Sequence, residues 1–541
     1  MNEKKKLSAL AALAVGLLSA CGGGSSDPDP GPGNPSSGIP PVVFKNVIGT
    51  TPADAALGQP LNVEWTLPAG VSIASIQLEA TAMGGPVGSR TTCVTSAGAL
   101  TASATAATLT IPNVCAAKTV HEVQLRVIVD TTGGQRTTAT HTYLAPPSTP
   151  DFLPTRQNLP VLRITTDNDA PILSRETYLN GQIHLTPNAP GQSLVIAATQ
   201  IRGRGNSTWD LMPKKPYRVK LNGKSALLGM PSSRDWVLLA NYSDKTLLRN
   251  TIAMELGASM GMPWTPRAEY VEVYHGGRYL GVYQLMENIK IAADRVDIDE
   301  LGEDDEGPAE ITGGYLLEVD FRQDGHTMFT ASENLPIVFQ DPEEPTPAQE
   351  AYIKGYIDQL ETALDSDDFT DPDTGYAAYI DVDSFVRWYL VNELFRNRDA
   401  NMWSSCWMYK PRGGKLHMGP LWDFDISAGN IDYDDAFLAA GWWVRDAPWF
   451  SRLFQDPAFV QRVREVWNEI KADQLPAMFQ SIATRSAALQ QAQLNNFQRW
   501  PILETYVWPN NRIPGSYAGE VEYLVSWLTE RAEWMDSQFN P

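Results

Sequence analysis

The sequence predicts an α+β chain in which an all-β sandwich stands in front of a larger mixed domain. Between residues 41 and 145, short apolar runs such as LNVEWTL, ASIQLEATA, TLTIPNV and HEVQLRVIVD alternate with Gly, Pro and Asn punctuation. Short strands at this spacing fit an immunoglobulin- or fibronectin-like sandwich, with Trp65 as its core aromatic. A Pro-rich break, APPSTP, follows at residues 145–150, and beyond it hairpin patterns interleave with stretches of helical period. At 541 residues the chain is too long for one hydrophobic core, which agrees with more than one domain.

The chain opens with Lys4, Lys5 and Lys6 and an apolar run over residues 7–18, too short for a permanent membrane span. LSAC at residues 18–21 resembles a bacterial lipobox, so residues 1–20 read as a lipoprotein signal peptide and Cys21 as the lipidated residue. Gly22, rather than Asp, after that Cys favours the outer membrane in a Gram-negative source. The expected location is therefore the bacterial cell envelope, with the exported protein tethered to the membrane by lipid. Residues 21–40 read as a Gly/Pro/Ser linker, 41–147 as the sandwich and 155–541 as the second domain. In an exported chain Cys93 and Cys115 are expected to form a disulfide, and Cys406 to be a small buried hydrophobe. No Cys-x-x-Cys or His-x-x-x-His spacing points to structural zinc. The 63 Asp and Glu outnumber 42 Lys and Arg, giving a net charge of −21, and no basic stripe carries interleaved aromatics, so nucleic acid is excluded as a partner.

The second domain begins with the strand PVLRITTD. RGRGNS at residues 202–207 forms a Gly-rich, doubly basic turn, where backbone N–H groups and the side chains of Arg204, Asn206 and Ser207 can approach phosphates. In the next strand Tyr217, Val219 and Leu221 alternate with Arg218 and Lys220, and Lys220 is expected to reach a nucleotide's phosphates. Ser243 and Asp244 read as the cap of a helix over residues 245–260, on which Glu255 is expected to pair with Lys220. EYVEVYH, Gly276-Gly277 and RYLGVYQLMENI form a hairpin whose end, at Glu287, is placed to meet an adenine. The acidic run DIDELGEDDE lacks calcium-loop spacing and reads as a solvated loop, and GYLLEVDF as a further strand. Helices are expected over 348–365, 382–396 (capped by Asp383), 456–495 and 517–539.

The chemistry concentrates between residues 392 and 430. A helix end, a polar turn containing Asp399, a strand to Lys410, a Gly413-Gly414 turn and a second strand deliver Asp423, Phe424 and Asp425. Carboxylates at both ends of a hairpin suit phosphoryl transfer, one orienting a hydroxyl and the others holding a divalent cation. Two acids flanking a Phe between Trp422 and Ile426 are costly without such a partner.

In this order, RGRGNSTW, KKPYRVKL, DWVLLANYSDKTLLRN, YLGVYQLMENI, NRDANMWSSCWMYK and GPLWDFD resemble the CotH kinase family, named after spore coat protein H, over roughly residues 160–540. The resemblance implies an atypical protein-kinase-like fold that uses ATP with Mg2+ or Mn2+ to phosphorylate Ser or Thr of surface or secreted proteins. It makes Asp399 the catalytic-loop Asp, acting with Lys220, and Asp423 and Asp425 the metal ligands. Where common kinases carry Asn five residues after that Asp, this chain has Ser404, whose hydroxyl can also ligate magnesium. The Gly-rich turn is not GxGxxG. The competing expectation is a non-catalytic surface adhesin or scaffold; a metal-dependent hydrolase lacks the His residues such sites recruit.

Overall fold

The computed structural model describes residues 42–48, 60–84, 91–110, 121–145, 154 and 157–541. Residues 1–40, for which a signal segment, Cys21 lipidation and a linker are expected, lie outside the described residues, as do Cys115 and the side chain of Cys93. The fold is mixed α+β.

Two antiparallel sheets come first. One is three-stranded, ordered β1 (Val43–Ile48), β2 (Pro60–Thr66), β5 (Ala106–Thr110). The other is four-stranded, ordered β4 (Thr91–Ser96), β3 (Ile73–Gly84), β6 (His121–Thr131), β7 (Arg136–Ala145). Alternation sends Leu61, Val63 and Trp65 from one sheet, and Leu78, Val123, Leu125 and Val127 from the other, into one shared apolar core. Trp65 is fully buried there.

Next, β8 (Val161–Thr166), β9 (Leu179–Thr186), β10 (Val195–Gly203), β11 (Tyr217–Ser225), β12 (Ser233–Leu239), β13 (Ala268–His275) and β14 (Arg278–Glu287) close into a barrel. The pairings are antiparallel except for β8 on β13. Inward positions of period two, including Ile183, Ile201, Val219, Trp236, Val271 and Leu285, fill its interior. Burying each such side chain contributes about 1.5–3 kcal/mol.

Outside the barrel, helix α1 (Arg249–Ser259) covers β12, β13 and β14 and joins them to a second core. That core contains a five-stranded sheet, ordered β16 (Thr327–Phe329), β17 (Pro336–Asp341), β15 (Tyr315–Val319), β18 (Cys406–Lys410), β19 (His417–Met418). Helices α2 (Pro347–Asp365), α3 (Val382–Leu394), α4 (Pro457–Glu469), α5 (Leu475–Ala488), α6 (Gln490–Arg499) and α7 (Tyr517–Phe539) complete it. Among the described residues no helix is long and apolar enough to cross a membrane.

Three local expectations are corrected. The helix after Asp244 starts at Arg249, because the Asp244 carboxylate accepts from Thr246 N, Thr246 Oγ1 and Arg249 N, closing a turn in which Leu247 has φ 64°. Helix α3 is capped by Asp381, which accepts from Ser384 N at 2.8 Å, while Asp383 pairs with Arg462 and Arg387. The acids of WDFD are not on a strand: β19 ends at Met418, before the left-handed Gly419.

Candidate active site

A cleft of about 920 Å³ separates the barrel from the five-stranded sheet and its following loops. From the barrel side come Arg202, Arg204, Asn206, Ser207, Arg218 and Asp235. From the other come Glu318, Asp320, Asp399, Ser404, Asp423 and Asp425.

The Gly-rich turn keeps its shape through contacts only glycine permits. Gly205 has φ +82°, and a Cβ on Gly203 would meet the Trp209 ring at 2.3 Å. Arg175 Nη1 donates to Gly205 O at 3.1 Å and to Asn206 Oδ1 at 2.6 Å, which orients the turn. The Arg204 guanidinium lies 5.3 Å from the centre of the Trp422 ring, so the residue before Asp423 supports the basic wall. Arg218 and Lys290 both approach Asp235, at 3.9 and 3.3 Å.

Opposite stands the acid loop. Asp423 holds φ 63°, a conformation that Asp tolerates better than most residues. Three buried asparagines grip its backbone in succession. Asn397 Nδ2 donates to Asp423 O at 3.2 Å, Phe424 N donates to Asn250 Oδ1 at 2.8 Å, and Asn430 Nδ2 donates to Asp425 O at 2.7 Å. Their positions come from three different segments: the turn before Asp399, helix α1, and the loop after WDFD.

The carboxylates so placed repel one another. Burial, then Asp423, pushes Asp399 up to about 6 against the pull of Arg398. Burial, then Asp423, Asp244 and Asp399, pushes Asp425 well above the usual carboxylate range, and Asp423 shares a hydrogen bond with it. Carboxylates that repel in this way would be relieved by a nearby positive charge. Glu318 is likewise raised by burial and then by Asp320 and Asp423, and its carboxylate accepts from Gln340 Nε2 at 2.7 Å.

Oxygen donors of this kind fit a hard divalent cation, Mg2+ or Mn2+. Among the described residues no group of three or more His, Cys, Asp and Glu side chains is placed to hold a metal ion.

Arg204, Asn206, Ser207, Asp399, Ser404, Asp423 and Asp425 are thus brought to one cleft. Ser404 arrives with its hydroxyl committed: it donates to Asp320 Oδ1 at 2.9 Å and accepts from Arg322 Nη1 at 3.2 Å. Three expected residues are elsewhere. Lys220 shares the strand face of Arg218 and pairs with Gln200 and Asp235, but of the two only Arg218 lines the cleft. Glu255 turns away from Lys220: its carboxylate accepts from Ser481 Oγ at 2.6 Å and pairs with Arg485 on helix α5. Glu287 is fully buried between Arg267 at 2.8 Å and Arg295 at 3.3 Å, and its successors Asn288, Ile289 and Lys290 line the cleft instead. Glu318, Asp320, Arg322 and Arg218 were missed. The acids interrupting the apolar run of GYLLEVDF were the available signal for the first two.

Fold and cleft together define an α+β protein that sets carboxylates against guanidinium groups across a cavity of about 920 Å³. The sequence model of the CotH kinase protein family matches residues 201–535, more than half of the chain, and the chain belongs to that family. No curated protein matches it.

Proposed function

We propose that this protein is an atypical protein kinase that uses ATP and Mg2+ or Mn2+ to phosphorylate Ser or Thr hydroxyls of surface or secreted proteins. The observation that carries the reading is the meeting of Asp399, Asp423 and Asp425 with the Arg204–Asn206–Ser207 turn in one cleft. Arg204, Arg218 and Lys290 bind the phosphates, and the Asn-held acid loop keeps Asp423 and Asp425 fixed as cation ligands. When bound, the cation neutralises phosphate charge and orients the terminal phosphoryl group. Asp399 accepts a hydrogen bond from the acceptor hydroxyl. As the hydroxyl oxygen bonds to the γ-phosphorus and the bond from that phosphorus to the β-phosphate oxygen breaks, the proton passes to the Asp399 carboxylate and ADP leaves. Ser404 holds Asp320 in place rather than ligating the cation itself.

The paired front sheets are read as an immunoglobulin- or fibronectin-like spacer, and lipid at Cys21 as the membrane anchor of an exported protein. The test is calorimetric titration of the ectodomain with ATP and Mg2+ or Mn2+, joined to transfer of labelled phosphate with Asp399→Ala as control. Absence of nucleotide binding with either metal overturns the kinase reading in favour of a non-catalytic adhesin or scaffold.

A further inference from the structure

Two exposed aromatic rings stand at the edge of the cleft beside Asp399. Phe321 and Trp403 stack with centroids 3.9 Å apart and planes 16° from parallel, yet are 42% and 38% exposed. Trp403 also lines the cleft. The pair is tied to Asp399 through the main chain: Phe321 N donates to Trp403 O at 2.9 Å, and Trp403 N donates to Asp399 O at 3.1 Å. Met402 and Ser405, on either side of Trp403 and Ser404, hold φ 51° and 57°, so the backbone adopts unfavourable angles around the segment that presents the indole. Neither ring is needed to complete the apolar core.

We propose that the Phe321–Trp403 stack is the platform on which an acceptor polypeptide lies, and that it selects an apolar or aromatic residue next to the phosphorylated Ser or Thr. This rests on the kinase reading above. The cleft has the size of a small-molecule site and is occupied by nucleotide during transfer, so a polypeptide presenting a hydroxyl to Asp399 crosses the rim rather than the interior. At that rim the stack is an exposed aromatic surface continuous with the cleft. Charge decides the class of neighbour. The Arg398 guanidinium already lies 5.2 Å from the Trp403 ring centre, and Arg322 directly follows Phe321, which disfavours a second cation on these rings.

The experiment uses an immobilised array of Ser- and Thr-centred peptides with each flanking position varied. Capture of the full chain and transfer of labelled phosphate are both read, alongside calorimetry with ATP and Mn2+. The expected result is enrichment of Phe, Leu or Pro at one flanking position. Phe321→Ala and Trp403→Ala flatten that enrichment to within about twofold, and Trp403→Tyr restores it. Phe321 does not line the cleft, so Phe321→Ala keeps the wild-type affinity for ATP while raising KM for the selected peptide about tenfold. Capture of no peptide, capture indifferent to the neighbour, or a preference unchanged in both alanine variants overturns the platform even where ATP binds. Selection by wild type that both variants lose, without ATP binding, supports the surface and overturns the kinase reading alone.

Discussion

Two sets of carboxylates occupy this domain, one fully buried and one lining the cleft, and the chain treats them differently. Away from the cleft, Asp244, Glu393 and Glu287 have counter-charges. Asp244 meets Arg249 at 2.6 Å and Glu393 meets Arg531 at 2.6 Å, all four side chains fully buried, while Glu287 sits between Arg267 and Arg295. In the cleft, Asp399, Asp423 and Asp425 face one another, and the nearest guanidinium, Arg398, divides itself between Asp399 at 3.5 Å and Asp434 at 2.9 Å. The first set joins segments: Arg249 also donates to Ser427 O and Ala428 O, and Arg531 to Ala439 O and Gly441 O. The second set remains short of positive charge, which the cation of the proposed function would supply.

Breaking one member of each set gives the largest contrast. Arg531→Met strands Glu393 and is expected to cost about 3–5 kcal/mol in urea unfolding. Asp425→Asn removes a repelled carboxyl, leaves stability at pH 7 unchanged or higher, and abolishes metal-dependent nucleotide binding. Equal destabilisation by the two variants would erase the distinction.

Asp399 sharpens it kinetically. Asp399→Asn is expected to lower phosphate transfer by about 10²–10⁴-fold while leaving ATP affinity within roughly threefold. Because the base acts as its carboxylate, wild-type kcat/KM rises with pH through about 6 and then levels, when measured between pH 4.5 and 8. Stability has the opposite sign. The folded form holds this proton more tightly than the unfolded chain, so stability contributed below the unfolded value of 3.8 is lost as pH rises through about 6. Thermal melts of wild type and Asp399→Asn across that window should differ in slope accordingly.

A smaller effect tests how the acid loop is held. Asn250→Leu orphans the buried Phe424 N–H and is expected to weaken Mn2+-dependent ATP binding about tenfold. Asn250→Asp keeps an acceptor and recovers part of it. A calorimetric Kd unchanged in Asn250→Leu would show that the other two asparagines suffice.

The least change is expected at Lys220. Lys220→Ala should leave the ATP Kd within about twofold, whereas Arg218→Ala should raise it about tenfold. This pair also marks how far the sequence was legible. Alternation along β11 correctly assigned Arg218 and Lys220 to one face, but which of them reaches the cleft depends on how the barrel closes. Asp399, Asp423 and Asp425 were readable because they lie within one short stretch joined by a hairpin. Glu255 was not, since its partner Arg485 lies on a helix far along the chain, and helical period names no partner. The gripping asparagines left no signal at all: they are neutral, scattered, and meaningful only through the carbonyl or N–H each one meets. The strands of the front sheets and the hairpin of β13 and β14 were legible because period and turn chemistry are local.

Closure of the barrel bears on how other chains can attach. In it β9 pairs with both β8 and β10, so every barrel strand has a neighbour on each side and none presents a free row of backbone donors and acceptors. In the front sheets the described strands β1, β5, β4 and β7 are borders, and a foreign strand can extend a sheet at such a border. Strand addition is therefore a route for the front module and closed to the barrel. A polypeptide engaging the barrel must be recognised by side chains and loops rather than by generic backbone pairing.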